Sequence, residues 1–288
     1  MDQLKNVRAR ERKRQEDKEK DREAMEGKKS TAGLPMMTAE TIKASCMEND
    51  GYEVPELNDK LYLHFKGYQR IENLDEYTGC KGLFLESNGL TKIENLEPVV
   101  QTRTLFLQQN LFEKIENLEH LKQLVVLDIS NNRISKLEGL SGLPMLNTLN
   151  VSKNNLKTIE DIEHLKECPA IRDLDVSCNK LEDFEILDVY AAMPSLVAVK
   201  NNGNPVVSKT RHYRKNALVK LPKLRYLDRP IEEYERAAAK AWKEGGREAE
   251  IAVRDANNRD EKRQKKQSLA TYHRWCKEMR EKKDAEVQ

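Results

Sequence analysis

Thiols and imidazoles are the side chains best suited to redox, nucleophilic or metal chemistry, and this chain has five of each. The cysteines are Cys46, Cys80, Cys168, Cys178 and Cys276. No two form a C-x-x-C pair, and an odd, scattered set reads as free thiols in a reducing compartment. The histidines (His64, His120, His164, His212 and His273) are equally dispersed, and no His/Cys/Asp/Glu cluster has metal-ligand spacing. His120 and His164 fall at matching places in two similar stretches, NLEH and DIEH, and read as surface residues, not ligands. There is no G-x-x-x-x-G-K-[ST] phosphate loop, no G-x-S-x-G nucleophile turn and no Ser/His/Asp arrangement. Asn150-Val151-Ser152 matches an N-glycosylation sequon, but no apolar h-region marks the start of the chain for export, so these residues read as structural. Neither an enzyme nor a metal or cofactor is expected, which leaves a surface to carry the function.

One set of residues recurs in a way that builds such a surface. Tyr62, Phe84 and Phe106 lie 22 residues apart, each between two leucines; His64, Glu86 and Gln108 follow at the same interval. If each L-x-L is a short strand, alternation sends its leucines inward and the residue between them outward. The outward column then runs Tyr62, Phe84, Phe106, Asp128, Asn150, Asp175, Lys200, and the column beside it His64, Glu86, Gln108, Ser130, Ser152, Ser177, Asn202. Aromatics aligned on an exposed sheet have the character of a protein-binding hot spot. The candidate partner-binding residues are Tyr62, His64, Phe84, Glu86, Phe106, Gln108 and Asp128. Two simpler fates for the rings are that they stack on each other or that an N-terminal segment folds back over them.

The elements that position these columns are repeats. LFLESNGL, LFLQQNLF, LDISNNRI, LNVSKNNL and LDVSCNKL carry Asn88, Asn110, Asn132, Asn154 and Asn179; a degenerate copy, VKNNGNPV, carries Asn204, and an upstream one, LYLHFKGY, has Lys66 in the asparagine's place. The period is 22 residues as far as Asn154 and 25 thereafter. This is the L-x-L-x-x-N-x-L signature of leucine-rich repeats. No unit can bury its own apolar face, so successive units stack into one core with a parallel sheet. The asparagine amide, placed where the backbone turns, can satisfy buried backbone groups of its own and the neighbouring coil. KIENL, KIENL, KLEGL and TIEDI fill the second halves, with Leu96, Leu118, Leu140 and Ile162 on the convex side.

The expected fold is an α/β leucine-rich-repeat solenoid with a concave parallel sheet, capped at both ends and flanked by charged helical or disordered tails. A helix at about 38–48 with Thr38 as N-cap opens the domain at 36–230. Segment 213–230, with Leu218, Leu221, Leu224 and Leu227, closes it. Residues 1–35 are a mixed-charge extension with almost no apolar content, and 231–288 read as a charged helix with a hinge at Gly245-Gly246. Tyr272, Trp275 and Met279 share a face of that helix and read first as anchors to the solenoid, second as a partner-binding stripe. These tails explain how 35% charged residues coexist with a core. The net charge is only +2, too small an excess for a broad nucleic-acid surface, and no apolar run is long enough to span a membrane.

In its 22-residue period and I-E-N-L motif the chain is similar to the Sds22-like subfamily. In its non-core residues, YLHFKG and LFLESNG above all, with DIEHLKECP, GNPV, LDRP and AWKEGG, it resembles the leucine-rich-repeat dynein axonemal assembly factors of the Oda7 type. The resemblance implies a non-enzymatic scaffold in cytoplasmic preassembly of axonemal dynein arms. Its partners would be axonemal dynein chains and assembly chaperones or co-factors, in cytoplasm and cilium or flagellum. We expect a monomer, with neither nucleic acid nor membrane as partner. The alternatives are a structural axoneme component docked on dynein or microtubules, and an Sds22-like phosphatase regulatory subunit.

Overall fold

A computed structural model describes residues 33–287, which form two compact units: the chain up to Arg211 together with Lys223–Asp228, and His212–Pro222 together with the chain from Arg229. The charged segment expected at 1–30 lies outside the described residues.

The first unit opens with helix α1 (Ala39–Glu48). The Thr38 hydroxyl accepts from Thr41 N–H at 3.3 Å, and Thr38 N–H donates to the Thr41 hydroxyl at 2.9 Å, so the cap satisfies donors at both ends of the turn. Ile42 and Cys46 are buried on its inner face. Eight strands follow: β1 (Lys60–Tyr62), β2 (Gly82–Phe84), β3 (Thr104–Phe106), β4 (Val126–Asp128), β5 (Thr148–Asn150), β6 (Asp173–Asp175), β7 (Ala198–Lys200) and β8 (Tyr226–Leu227). Each pairs in parallel with the next, in the register Tyr62–Phe84–Phe106–Asp128–Asn150–Asp175–Lys200. A constant period returns the same strand position in every coil, so like stacks on like. The three additional residues of the longer repeats leave this register untouched. The convex side of those repeats carries a 3-10 turn at Glu163–Glu167 and helix α2 (Ile186–Ala192), whereas the 22-residue repeats have only turns there. A further short helix, α3 (Pro205–Lys209), follows β7. The leucines of both strand positions, from Leu61 and Leu63 onward, and Leu96, Leu118, Leu140 and Ile162 are buried, each worth about 1.5–3 kcal/mol of apolar transfer.

The asparagine ladder closes the polar side of this core. Asn110 Nδ2 donates to Leu85 O and Leu107 O, both at 3.0 Å, and its Oδ1 accepts from Leu90 N–H at 3.2 Å. Asn132, Asn154, Asn179 and the degenerate copy's Asn204 repeat the pattern, each joining its own coil to the one before. Asn88 serves the first coil, where Lys66 stands at the ladder position: its Oδ1 accepts from Lys66 and Tyr68 N–H, both at 3.1 Å. A second ladder runs through the I-E-N-L motif. Asn73, Asn95 and Asn117 all have φ near +60°, and their Nδ2 groups donate to Met37 O, Ile71 O and Ile93 O at 2.6–2.7 Å. In the next repeat Gly139 takes the position at φ 72°, where a Cβ would lie 2.9 Å from Ile115 O.

The expected closing segment 213–230 divides between the two units. Residues 223–228 extend the sheet through β8, while His212–Pro222 belongs with the C-terminal helix. That second unit comprises helix α4 (Tyr213–Lys220) and the long helix α5 (Glu233–Val287), which is interrupted at Gly246 (φ 71°, ψ −158°), at the expected hinge. Charges clasp α4 to α5. Glu235 accepts from Arg214 Nε and Nη2 at 2.7 and 2.8 Å and from Arg229 Nη2 at 2.6 Å. Arg236 Nη1 donates to Leu218 O and Leu221 O, carbonyls at the C-terminal end of α4. Lys215 pairs with Glu250 and lies over the Trp242 ring, 5.3 Å from its centroid.

Candidate functional site: the open sheet face

The outward positions of β1–β3 bring the three aromatics together. Tyr62 and Phe84 stack with centroids 4.7 Å apart and 23° between planes; Phe84 and Phe106 stack at 5.0 Å and 16°. The spacing is the distance between neighbouring strands, so identical registers make the rings parallel. Each ring is half-buried: stacking covers the faces between them and leaves the edges open. The rings do stack on each other; cover by an N-terminal segment falls outside the described residues. Among the described residues the stacking leaves an apolar surface uncovered.

Beside the rings run His64, Glu86 and Gln108, also half-buried. His64 packs edge-on to Tyr62 at 6.2 Å, and its Nδ1 is 3.9 Å from Glu86 Oε1. Glu86 Oε2, Gln108 Oε1 and His64 Nδ1 are buried without a hydrogen-bond partner. Phe65 extends the patch. It is 73% exposed, meets His64 edge-on at 5.5 Å and has φ 55°. The same left-handed conformation recurs at Ser87, Gln109, Asn131, Lys153 and Cys178, so the turn itself demands it. At that turn only the first repeat spends the position on an aromatic, and this was the signal in the sequence.

From β4 onward the face satisfies itself. Asp128 Oδ1 accepts from Ser130 N–H and its hydroxyl at 3.0 and 2.6 Å, and Oδ2 accepts from Asn150 Nδ2 at 2.7 Å. Asn150 Oδ1 accepts from Ser152 N–H. Asp175 accepts from Ser177 in the same way and pairs with Lys200 Nζ at 3.2 Å. Ser152 and Ser177 are buried, so this part of the second column is less open than alternation alone implied. A trough of about 330 Å³ lies along β3–β8, with Phe106 at one end and Asp128, Asn150, Asp173, Asp175 and Lys200 among its lining.

The dispersed thiols and imidazoles do not converge. No group of three or more His, Cys, Asp or Glu among the described residues could hold a metal ion. Burial pushes the Cys80 thiol up to about 12 and the Cys168 thiol up to about 11, the opposite of an activated nucleophile. His164 differs from its expected surface role. Its Nε2 accepts from Leu140 and Ser141 N–H at 3.0 and 3.2 Å, so this imidazole serves the backbone of the preceding repeat. The stripe expected on α5, Tyr272, Trp275 and Met279, is exposed, with Tyr272 and Trp275 stacked on each other, and Leu269 is exposed as well.

A parallel sheet of one strand per repeat, backed by leucines and tied by an asparagine in each coil, defines a leucine-rich-repeat solenoid. A family model described as leucine-rich repeat matches residues 84–256, and the chain belongs to that family. The finer resemblance read from YLHFKG and LFLESNG also holds. The chain is 64% identical over 217 residues to human dynein axonemal assembly factor 1, covering 75% of this chain and 30% of that protein. It is 51% identical over 245 residues to the leucine-rich repeat-containing protein ODA7 of Chlamydomonas reinhardtii, covering 85% and 56%. To the dynein axonemal assembly factor 1 homolog of Drosophila pseudoobscura pseudoobscura it is 48% identical, covering 84% and 16%. The chain thus spans about a third of the human relative's length and just over half of the algal one's. Among solved structures, an internalin of Listeria monocytogenes superposes with a TM-score of 0.52 at 22% identity, over 62% of this chain and 50% of that one, a likeness of fold alone.

Proposed function

We propose that this chain is a non-enzymatic scaffold in cytoplasmic preassembly of axonemal dynein arms, and that the open face of β1–β3 holds its protein partner. The names of its relatives support the process. The place is supported by one observation: the ladder Tyr62–Phe84–Phe106 is half-exposed and flanked by buried polar atoms that the chain itself leaves unpaired. Axonemal dynein chains and assembly chaperones are the partners this reading names, with the chain acting as a monomer in the cytoplasm and its product in the cilium.

The test is co-purification from ciliated cells. Phe84→Ala combined with Phe106→Ala removes two rings of the ladder and should abolish recovery of dynein heavy chain; Ser130→Ala should leave it intact. Central interface aromatics commonly lose about 2 kcal/mol or more of binding when truncated. A double variant that still recovers the full partner set sinks the proposal. Fractionation separates assembly from a structural role, since an assembly factor sits in cytosol and an axoneme component stays with salt-washed axonemes. The exposed stripe on α5 favours a second contact surface, and Trp275→Ala tests it in the same assay.

A further inference from the structure

The chemistry around the ring ladder specifies what kind of segment can lie on it. From β2 through β6 the outward positions in and just after the strands carry four carboxylates, Glu86, Asp128, Asp173 and Asp175, and no lysine or arginine, with Lys60 on β1 at the margin of this stretch. Lys200 on β7 reaches back to one of them, Asp175. Of the three unpaired atoms on this face, His64 Nδ1 lies at its β1 end, and the other two, Glu86 Oε2 and Gln108 Oε1, are both acceptors on adjacent repeats. A buried acceptor without a donor is costly, and a carboxylate more so, which leaves this face short of donors and of positive charge. Phe106 ends the ladder. One side of its ring stacks on Phe84, and the ring also borders the trough that Asp128, Asp173 and Asp175 line.

We infer that the partner segment seated here is basic, and that an arginine of that segment lies against Phe106 with its guanidinium shared between the half-buried Glu86 and Gln108 side chains and the acidic trough. This rests on the ring ladder being the docking face. A guanidinium suits the site better than an ammonium. It presents five donors in a planar fork, enough to serve acceptors on two repeats at once, and its plane packs on aromatic surface. A flanking apolar side chain of the same segment covers the ring edges. A nucleic acid fits this face poorly, because its phosphates would meet the carboxylates. The trough, about 330 Å³, has room for one long side chain and bridging water.

The experiment pans a random dodecapeptide phage library on the full chain, on Glu86→Gln, on Asp173→Lys and on the Phe84→Ala/Phe106→Ala variant. Enriched peptides are then synthesised with arginine and with neutral citrulline at the selected position, and affinity is read by fluorescence anisotropy at low and high salt. We expect arginine beside apolar residues to dominate the selected peptides. Glu86→Gln, Asp173→Lys and the citrulline exchange should each weaken binding by about tenfold or more, as expected for a charge-assisted bond lost from a half-buried site, and salt should weaken it further. Selected peptides without arginine, or arginine peptides indifferent to Glu86→Gln and to salt, overturn the inference. If such peptides still lose binding on the ring variant, the docking face stands and only its basic specificity falls. If they bind the ring variant undiminished, or nothing enriches above it, the docking face itself falls too.

Discussion

Asn110→Ala tests the ladder at a position where the structure allows the cost to be worked out bond by bond. Asn110 is buried, and its side chain makes four bonds to backbone, one of them a long 3.4 Å contact with Gln108 O, which keeps Ser87 N–H as a donor and so adds little to the cost. Their loss is unequal. Leu85 O also accepts from Asn88 Nδ2 at 2.9 Å, and Leu107 O also accepts from Asn132 Nδ2 at 3.0 Å, so each carbonyl keeps one donor. Leu90 N–H loses its Asn110 acceptor inside the core. An orphaned buried donor costs about 1–3 kcal/mol, and each carbonyl's lost second bond adds about 0.5 kcal/mol, for a total of about 2–4 kcal/mol. For a chain of this size that lowers the melting temperature by about 5–12 °C. Asn110→Asp should do worse, because it sets carboxylate oxygen against the Leu85 and Leu107 carbonyls. Urea unfolding followed by circular dichroism measures both. A midpoint within error of the parent for Asn110→Ala, or an Asp variant more stable than the Ala variant, would falsify the ladder as a source of stability.

Gly139→Ala should cost about 1–3 kcal/mol in the same assay, since it places a Cβ at φ 72° and 2.9 Å from Ile115 O. Gly139→Asn should be the milder change, because asparagine already holds the left-handed conformation at 73, 95 and 117. In the helical unit, hydrogen bonds from Arg214, with the charges of Arg214 and Arg229, hold the Glu235 carboxyl below the usual carboxylate range. That contribution is complete above the ordinary glutamate value of ~4.3 and fades as pH falls below it. Glu235→Gln should therefore destabilise α5 at neutral pH and narrow its deficit in acid, read by far-ultraviolet circular dichroism; a deficit independent of pH would count against the clasp. Removing residues 1–30 should leave the cooperative transition of the solenoid in place, because that segment carries almost no apolar residues.

The solenoid was legible in the sequence because its signal is a period, and a period fixes register. Leu61 to Leu83 to Leu105, read as 22 residues each, already states which strand positions pair. The first asparagine ladder was legible for the same reason. The second was hidden because Asn73, Asn95 and Asn117 sit in I-E-N-L beside obvious core residues. The clue was substitution by Gly139 at the fourth copy, since asparagine and glycine share tolerance of positive φ and little else. Features that depend on side-chain conformation were not legible. Nothing in the spacing of Glu86 and Gln108 says that one oxygen of each ends buried and unpaired, nor that His164 turns its Nε2 onto Leu140 and Ser141. The C-terminal unit was read only as helix because its defining contacts, Arg214–Glu235 and Lys215–Glu250, join residues 21 and 35 apart with no repeat behind them.

The asymmetry of the sheet face follows from what each repeat can give its neighbour. At β4–β7 the outward residues are complementary donors and acceptors, so Asp128 bonds Asn150 and Asp175 bonds Lys200. A partner seeking hydrogen bonds from Asp128 or Asp175 must break satisfied ones and gains little by the exchange, so what the trough offers is the carboxylate of Asp173 and the charge of the other two. At β1–β3 neighbours are alike instead. Aromatic on aromatic gives a stack, worth about 0.5–1.5 kcal/mol per pair, and the stack holds the rings in one conformation before any partner arrives. Glutamate beside glutamine gives each some acceptor that the other leaves unserved. A partner that supplies donors there relieves a cost the free chain already carries, and it loses little entropy in ordering a surface already ordered. Truncating Phe84 and Phe106 should accordingly lower the melting temperature by a modest amount, through the lost stacks, while binding falls much further. A variant that loses both in equal measure would mean the ladder is there for the fold.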